Sequence, residues 1–151
     1  MKVDRRTFIS EWAAGMCIFA GGAAARTSLP KIAAYRNPGC GCCEMWVRLL
    51  RRAGFTATMS DDPDLASRQA SLGVPDTLRG CHTAVLGKYV IEGHVPVSEI
   101  LRLWKEQPVA KGLAVPGMPA NSPGMESLGP SDRFDVLLFK ADGSSEVYKS
   151  Y

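Results

Sequence analysis

The chain has little net charge, no long apolar run, and no cysteines spread at intervals along its loops. A formal net charge of only +3 over 151 residues gives no electrostatic reason to expect nucleic acid or an anionic membrane as partner. The longest apolar run, Trp12 to Ala25, falls short of the roughly 20 residues that a membrane-spanning helix needs. Hydrophobic residues at 46% and charged residues at 22% exclude a disordered chain, and a chain of this length can bury a core without disulfide staples. The cysteines are Cys17, Cys40, Cys42, Cys43 and Cys81. Three of them crowd one short stretch, which excludes a conventional disulfide framework.

The N-terminus reads as an address. MKVDRRTFIS sets Arg5 and Arg6 ahead of Thr7, Phe8 and Ile9, and it resembles the twin-arginine export signal of bacteria. The apolar run follows, and Ala23-Ala24-Ala25 supplies the small residues that a signal peptidase accepts. The expectation is a signal peptide over 1–25 and one mature domain over 26–151. An amphipathic N-terminal helix is the alternative. A lipoprotein site at Cys17 fits poorly after Ala14-Gly15-Met16. Removing Lys2, Arg5 and Arg6 against Asp4 and Glu11 lowers the net charge by one, to +2. Cys40, Cys42, Cys43, Cys81, His82 and His94 remain. The implied compartment is the periplasm, which is oxidising, so clustered thiols there need a disulfide or a soft metal to protect them. After signal removal no membrane association is expected.

Strand and helix patterns alternate through the rest. Lys31 to Arg36 reads as a strand broken by Asn37-Pro38-Gly39. From Cys42, the residues Met45, Trp46, Leu49, Leu50 and Ala53 follow helical spacing and predict a buried face, with Gly54 as the stop. Arg48, Arg51 and Arg52 suit a solvated face. Phe55 to Met59 alternates as a second strand. Asp61-Asp62-Pro63-Asp64 opens a helix to about Leu72, stopped by Gly73 and Pro75. Thr83 to Leu86 and Tyr89 to Glu92 form a hairpin around Gly87-Lys88, and Val97 to Trp104 is a third helix. Residues 107–131, rich in proline and glycine and carrying Met118 and Met125, read as a loop. Residues 132–151 read as a terminal hairpin around Asp142-Gly143, with Phe134, Val136 and Leu138 on one face.

This β-α-β-α-β-β-α order, with Cys-x-x-Cys at the first strand-to-helix turn, resembles the α/β thioredoxin-like fold over about 31–106. Thioredoxins enter the third strand through Gly-x-Pro-Thr, with a cis-proline against the redox cysteines. Here the run is Gly80-Cys81-His82-Thr83, so His82 stands where the proline would be. The hairpin ends at Gly93-His94, where thioredoxin-like proteins carry a glycine lining the same groove. The resemblance implies that four cysteines and two histidines converge on one site.

Cys40-Gly41-Cys42-Cys43 places thiols at a helix N-terminus, where unpaired N–H groups and the dipole favour thiolate. Cys40 and Cys43 are close enough for a disulfide or a shared metal. Successive helical side chains diverge by about 100°, so Cys42 and Cys43 do not easily join Cys40 on one ion. Divergent thiolates suit several ions bridged by sulfur. Structural zinc usually shows two separated cysteine pairs, and an iron–sulfur cluster needs four well-placed thiolates. Copper(I), which accepts mixed sulfur and nitrogen, survives the comparison best.

Three runs carry a family resemblance: NPGCGCCEMW at 37–46, GVPDTLRGCHTAVLGKYVIEGHVP at 73–96, and VPGMPANSPGME at 115–126. Together they are similar to the CopG-type copper-resistance proteins, also catalogued as domain of unknown function 411. The resemblance implies a periplasmic, thioredoxin-like protein that binds copper at the modified cysteine motif. It carries Cys40, Cys42, Cys43 and Cys81 over as thiolate ligands, and His94 and His82 as nitrogen ligands. Copper(I) in a Cys/His cluster, with possible cycling to copper(II), is one expectation. A thiol–disulfide oxidoreductase with Cys40 attacking and Cys43 resolving is a second. A passive copper store or chaperone is a third. Copper ions, and periplasmic copper-export or redox proteins, are the partners implied. Met118 and Met125 are open between thioether donors and turn residues, whereas Met45 and Trp46 read as core.

Overall fold

The computed structural model describes residues 28–126 and 132–151. The expected export segment, with Cys17, lies outside them. The elements run β1 (Lys31–Arg36), α1 (Gly41–Arg52), β2 (Thr56–Asp61), α2 (Leu65–Ser71), a 3-10 turn (Asp76–Leu78), β3 (His82–Leu86), β4 (Tyr89–Glu92), α3 (Val97–Glu106), β5 (Gly112–Ala114), β6 (Asp135–Phe139) and β7 (Ser145–Ser150). The strands form one mixed sheet in the order β2-β1-β3-β4-β5-β6-β7. β1 runs parallel to β2 and antiparallel to β3. β4 runs parallel to β5, and the other neighbours are antiparallel.

Local chemistry accounts for the helix boundaries. Asp64 caps α2 by accepting from the Ser67 backbone N–H, which satisfies one of the donors left free at a helix start. Gly54 and Gly73 take left-handed φ values of +98° and +75° just past α1 and α2, conformations that cost glycine little. The alternation of strand side chains splits the core into two layers. Ile32, Ala34, Ala84, Leu86, Tyr89 and Ile91 face Trp46, Val47 and Leu50 of α1, and Ile100 and Leu103 of α3. Val90, Ala114 and Phe139 face Val74 and Leu78 on the other side.

Two expectations need correcting. The buried stripe of α1 is Cys43, Trp46, Val47 and Leu50, rotated from the predicted one. Trp46 is core, but Met45 is 41% exposed. The helix is set by the sulfur end: Cys43 points inward, and the stripe repeats from it at three, four and seven residues. The segment read as a loop contains β5, which sits between β4 and β6. Three residues, Gly-Leu-Ala, are too few to show a period. They become a strand because ladders on both sides claim their backbone groups. The terminal hairpin forms where expected and extends the sheet through β6, burying Val136 and Leu138 in the larger layer.

Candidate metal centre

The site forms where three segments meet: the start of α1, the entry to β3, and the turn after β4. Cys40 is the N-cap residue of α1. It is joined to Cys43 by a disulfide, and Cys42 and Cys81 are free. Cys42 Sγ lies 3.4 Å from Cys40 Sγ, and Cys43 Sγ lies 3.5 Å from Cys81 Sγ. Cys81 Sγ is 3.0 Å from His94 Nε2 and 3.6 Å from His82 Nδ1. All six residues singled out in the sequence are therefore neighbours. Their donor atoms form two overlapping groups that could hold a metal ion, each spanning no more than 4.8 Å. One is Cys40, Cys42, Cys43 and Cys81, and the other is Cys43, Cys81, His82 and His94.

Two glycines make this convergence possible. A Cβ on Gly80 would lie 2.8 Å from the Gly93 Cα. One on Gly93, at φ +68°, would run into the Val115 carbonyl oxygen. Without side chains, the backbones leading to Cys81 and His94 press together. The imidazoles are fixed as well. His94 Nδ1 donates to the Pro123 carbonyl oxygen at 2.7 Å, which leaves Nε2 with its lone pair toward Cys81. Histidines that ligate metals commonly have this outer hydrogen bond. His82 is fully buried between Trp46 and His94, with ring centroids 4.3 Å and 4.9 Å away. Gly124 lets the 119–125 strap close on α1, since a Cβ there would sit 3.0 Å from the Cys42 carbonyl oxygen. Met125, on the strap, is buried, whereas Met118 is 57% exposed.

The electrostatics favour neutral ligands in the absence of metal. Burial pushes the Cys81 thiol up to about 12, with neighbouring Cys42 adding to the shift. Burial, and then His94, hold His82 well below the usual imidazole range. His94 is lowered by burial too, against the opposing pull of its Pro123 bond.

Sequence reasoning missed what stands behind Cys81. Glu92, fully buried at the end of β4, accepts from the Gly80 N–H at 2.8 Å and from Gln69 Nε2 at 2.6 Å. Gln69 Nε2 also donates to the Gly80 carbonyl at 3.2 Å. Gly80 is thus clasped from both sides just before the cysteine. A lone carboxylate closing the apolar run Tyr89-Val90-Ile91 was the one available signal. Burial pushes the Glu92 carboxyl from 4.5 up to about 7. The folded state therefore holds its proton more tightly than the unfolded state, and stability falls as pH rises from 4.5 through about 7. Over that window the metal-free chain is expected to lose about 3 kcal/mol through this group. Urea titrations across that range should show the loss in the wild type and a much flatter profile in Glu92→Gln. Equal slopes in the two would refute this assignment.

The described residues thus define a mixed α/β protein with a buried cysteine–histidine cluster able to hold metal. A family model described as "Protein of unknown function, DUF411" matches residues 78–125, which include Cys81, His82, His94, Pro123 and Gly124. Two solved structures, "Copper resistance protein copG- Form 1" and "Form 2", each match with TM-score 0.77 and 37% identity, over 82% of this chain and 98% of theirs. The chain belongs to this CopG copper-resistance family. No curated protein matches.

Proposed function

We propose that this is a periplasmic copper-resistance protein that holds copper(I) in the Cys40, Cys42, Cys43, Cys81 and His94 cluster, with His82 beside it, on a thioredoxin-like core. The observation that carries the reading is Cys81 Sγ lying 3.5 Å from Cys43 Sγ and 3.0 Å from His94 Nε2. Sulfur from two distant segments thereby shares one pocket with imidazole nitrogen. A donor set this rich in soft sulfur selects copper(I) over harder ions. Several thiolates on diverging directions suit more than one ion bridged by sulfur. The order β2-β1-β3-β4, with α1 between β1 and β2 and α2 between β2 and β3, supports the thioredoxin-like assignment. His82 occupies the position where that fold carries its cis-proline, and no peptide bond among the described residues is cis. Export through the twin-arginine signal and cycling of the ion between copper(I) and copper(II) are part of the same proposal.

When bound, copper would supply one-electron chemistry. The chain's own residues gather it and set its ligand geometry. The Cys40–Cys43 disulfide withholds two of the four thiolates, so copper uptake by all four requires its two-electron reduction first. The deciding experiment is metal analysis of chain purified anaerobically from copper-grown cells. Copper is expected at more than one ion per chain in the wild type and is expected to fall in Cys40→Ser. A copper-free wild type, or a Cys40→Ser variant as loaded as the wild type, overturns the reading.

The same disulfide favours a second reading as a thiol–disulfide oxidoreductase, in which Cys40 attacks and Cys43 resolves. Rapid, metal-independent reduction of insulin disulfides would select that reading. A passive store or chaperone uses the same ligands and differs only in lacking electron transfer with copper bound.

A further inference from the structure

The geometry points to a second metal-binding state of the oxidised chain, in which a divalent ion of the zinc class occupies Cys43, Cys81, His82 and His94 while the disulfide moves to Cys40–Cys42. The inference rests on the reading of the cluster as a metal site, but it concerns a different oxidation state and a different ion. The four sulfurs are packed together, all within 4.8 Å of one another, and each half of the disulfide touches a free one. Cys42 touches Cys40 at 3.4 Å, Cys40 is bonded to Cys43, and Cys43 touches Cys81 at 3.5 Å. Cys42 is thus in reach of Cys40, and Cys81 of Cys43.

Exchange needs no external oxidant or reductant. The Cys42 thiolate attacks Cys40 Sγ, a Cys40–Cys42 bond forms, and the Cys40–Cys43 bond breaks. Its electron pair leaves on Cys43 as thiolate. One disulfide exists before and after. Cys42 gives up one proton to solvent on attack, and Cys81 gives up another when it ligates. The ion, entering as a dication and remaining one, is held by two thiolates and two neutral imidazoles.

Two of the three measured separations already match a tetrahedral ion, and the third must open by a few tenths of an ångström. With metal–sulfur bonds of about 2.3 Å and metal–nitrogen bonds of about 2.0–2.1 Å, a tetrahedral ion separates its donors by roughly 3.3–3.8 Å. The observed Cys43–Cys81 and Cys81–His82 separations are 3.5 Å and 3.6 Å, and the Cys81–His94 separation is 3.0 Å. Two sulfurs and two nitrogens in a tetrahedron select zinc-like ions. His94 already carries its orienting bond to the Pro123 carbonyl. In this arrangement Cys42 is the exchange nucleophile and not a ligand, which gives the crowded Cys40-Gly41-Cys42-Cys43 motif a second use.

The test uses the oxidised mature chain, with two free thiols by count, titrated anaerobically with cobalt(II) as the spectroscopic probe. The expected result is one cobalt per chain with the visible bands of a tetrahedral sulfur–nitrogen site. Acid quenching, thiol labelling and peptide mapping should find label on Cys42 and Cys81 without cobalt, and on Cys43 and Cys81 with it. Oxidised Cys42→Ser, whose disulfide stays at Cys40–Cys43, should bind cobalt more weakly by more than the roughly 10–100-fold that loss of an outer partner costs. Absence of cobalt binding, label remaining on Cys42 with cobalt bound, or a Cys42→Ser variant that binds as the wild type does would each overturn the inference. The labelling of the wild type decides the matter even if the variant folds poorly. The copper content of the reduced chain is measured separately, so failure here leaves that reading standing, and the converse holds too.

Discussion

Replacing Gly93 by alanine is expected to destabilise the metal-free chain by about 4 kcal/mol. A left-handed non-glycine residue costs roughly 1–3 kcal/mol, and forcing an atom into packed backbone costs a similar amount. At Gly93 both apply, because φ is +68° and the Val115 carbonyl occupies the space a Cβ would take. Against a total stability of about 5–15 kcal/mol, that loss is large. It should appear as a lower urea midpoint at unchanged slope. Gly143→Ala is the control, since Gly143 has φ +83° but nothing within 4 Å of its Cβ position. It pays only the conformational part. Equal losses at the two positions would mean that the close approach beside His94 is not tight. The loss at Gly93 should also reach the site, because the clash drives the turn before His94 away from Cys81.

Cys81→Ser is expected to remove copper more completely than Cys42→Ser. Cys81, like Cys43, belongs to both donor groups, and its sulfur touches Cys43, His82 and His94. A serine oxygen is a hard donor that copper(I) takes up poorly. Competition with a copper(I) chelator should show affinity lower by more than about 100-fold, beyond the range for loss of an outer partner, with far-UV circular dichroism unchanged. Cys42→Ser should lower the number of bound ions while keeping some, since it belongs to one group only. A Cys81→Ser chain that resists the chelator as the wild type does would show that the two sulfur-bearing segments do not share an ion.

The legible parts of this molecule were those written in local pattern. β1 and β4 have the predicted bounds, because each is a short apolar run closed by a turn signal. The hairpin around Asp142-Gly143 was equally plain. The cysteines and histidines could be gathered in advance only because the element order suggested which loops lie at one end of the sheet. What stayed hidden depends on tertiary contact. β5 has no pattern of its own and exists through its neighbours. The inward roll of α1 follows Cys43 rather than the mean hydrophobic direction, which is why Met45 faces solvent. Pro123 acts through its carbonyl, a group every residue has, so no residue type announces it. Gln69 and Glu92 are 23 positions apart, and neither shows that the other is its partner.

The place of β5 in the sheet has a consequence for its edge. Gly112–Ala114 bonds to β4 on one side and to β6 on the other, so the terminal hairpin covers what would be a raw margin of the sheet. Such margins invite pairing with another chain. β7, now outermost, carries Glu146 and Lys149 and is mostly exposed, and charged side chains of this kind discourage edge-to-edge growth. The last 20 residues therefore act as a selvedge, finishing the sheet beyond β5.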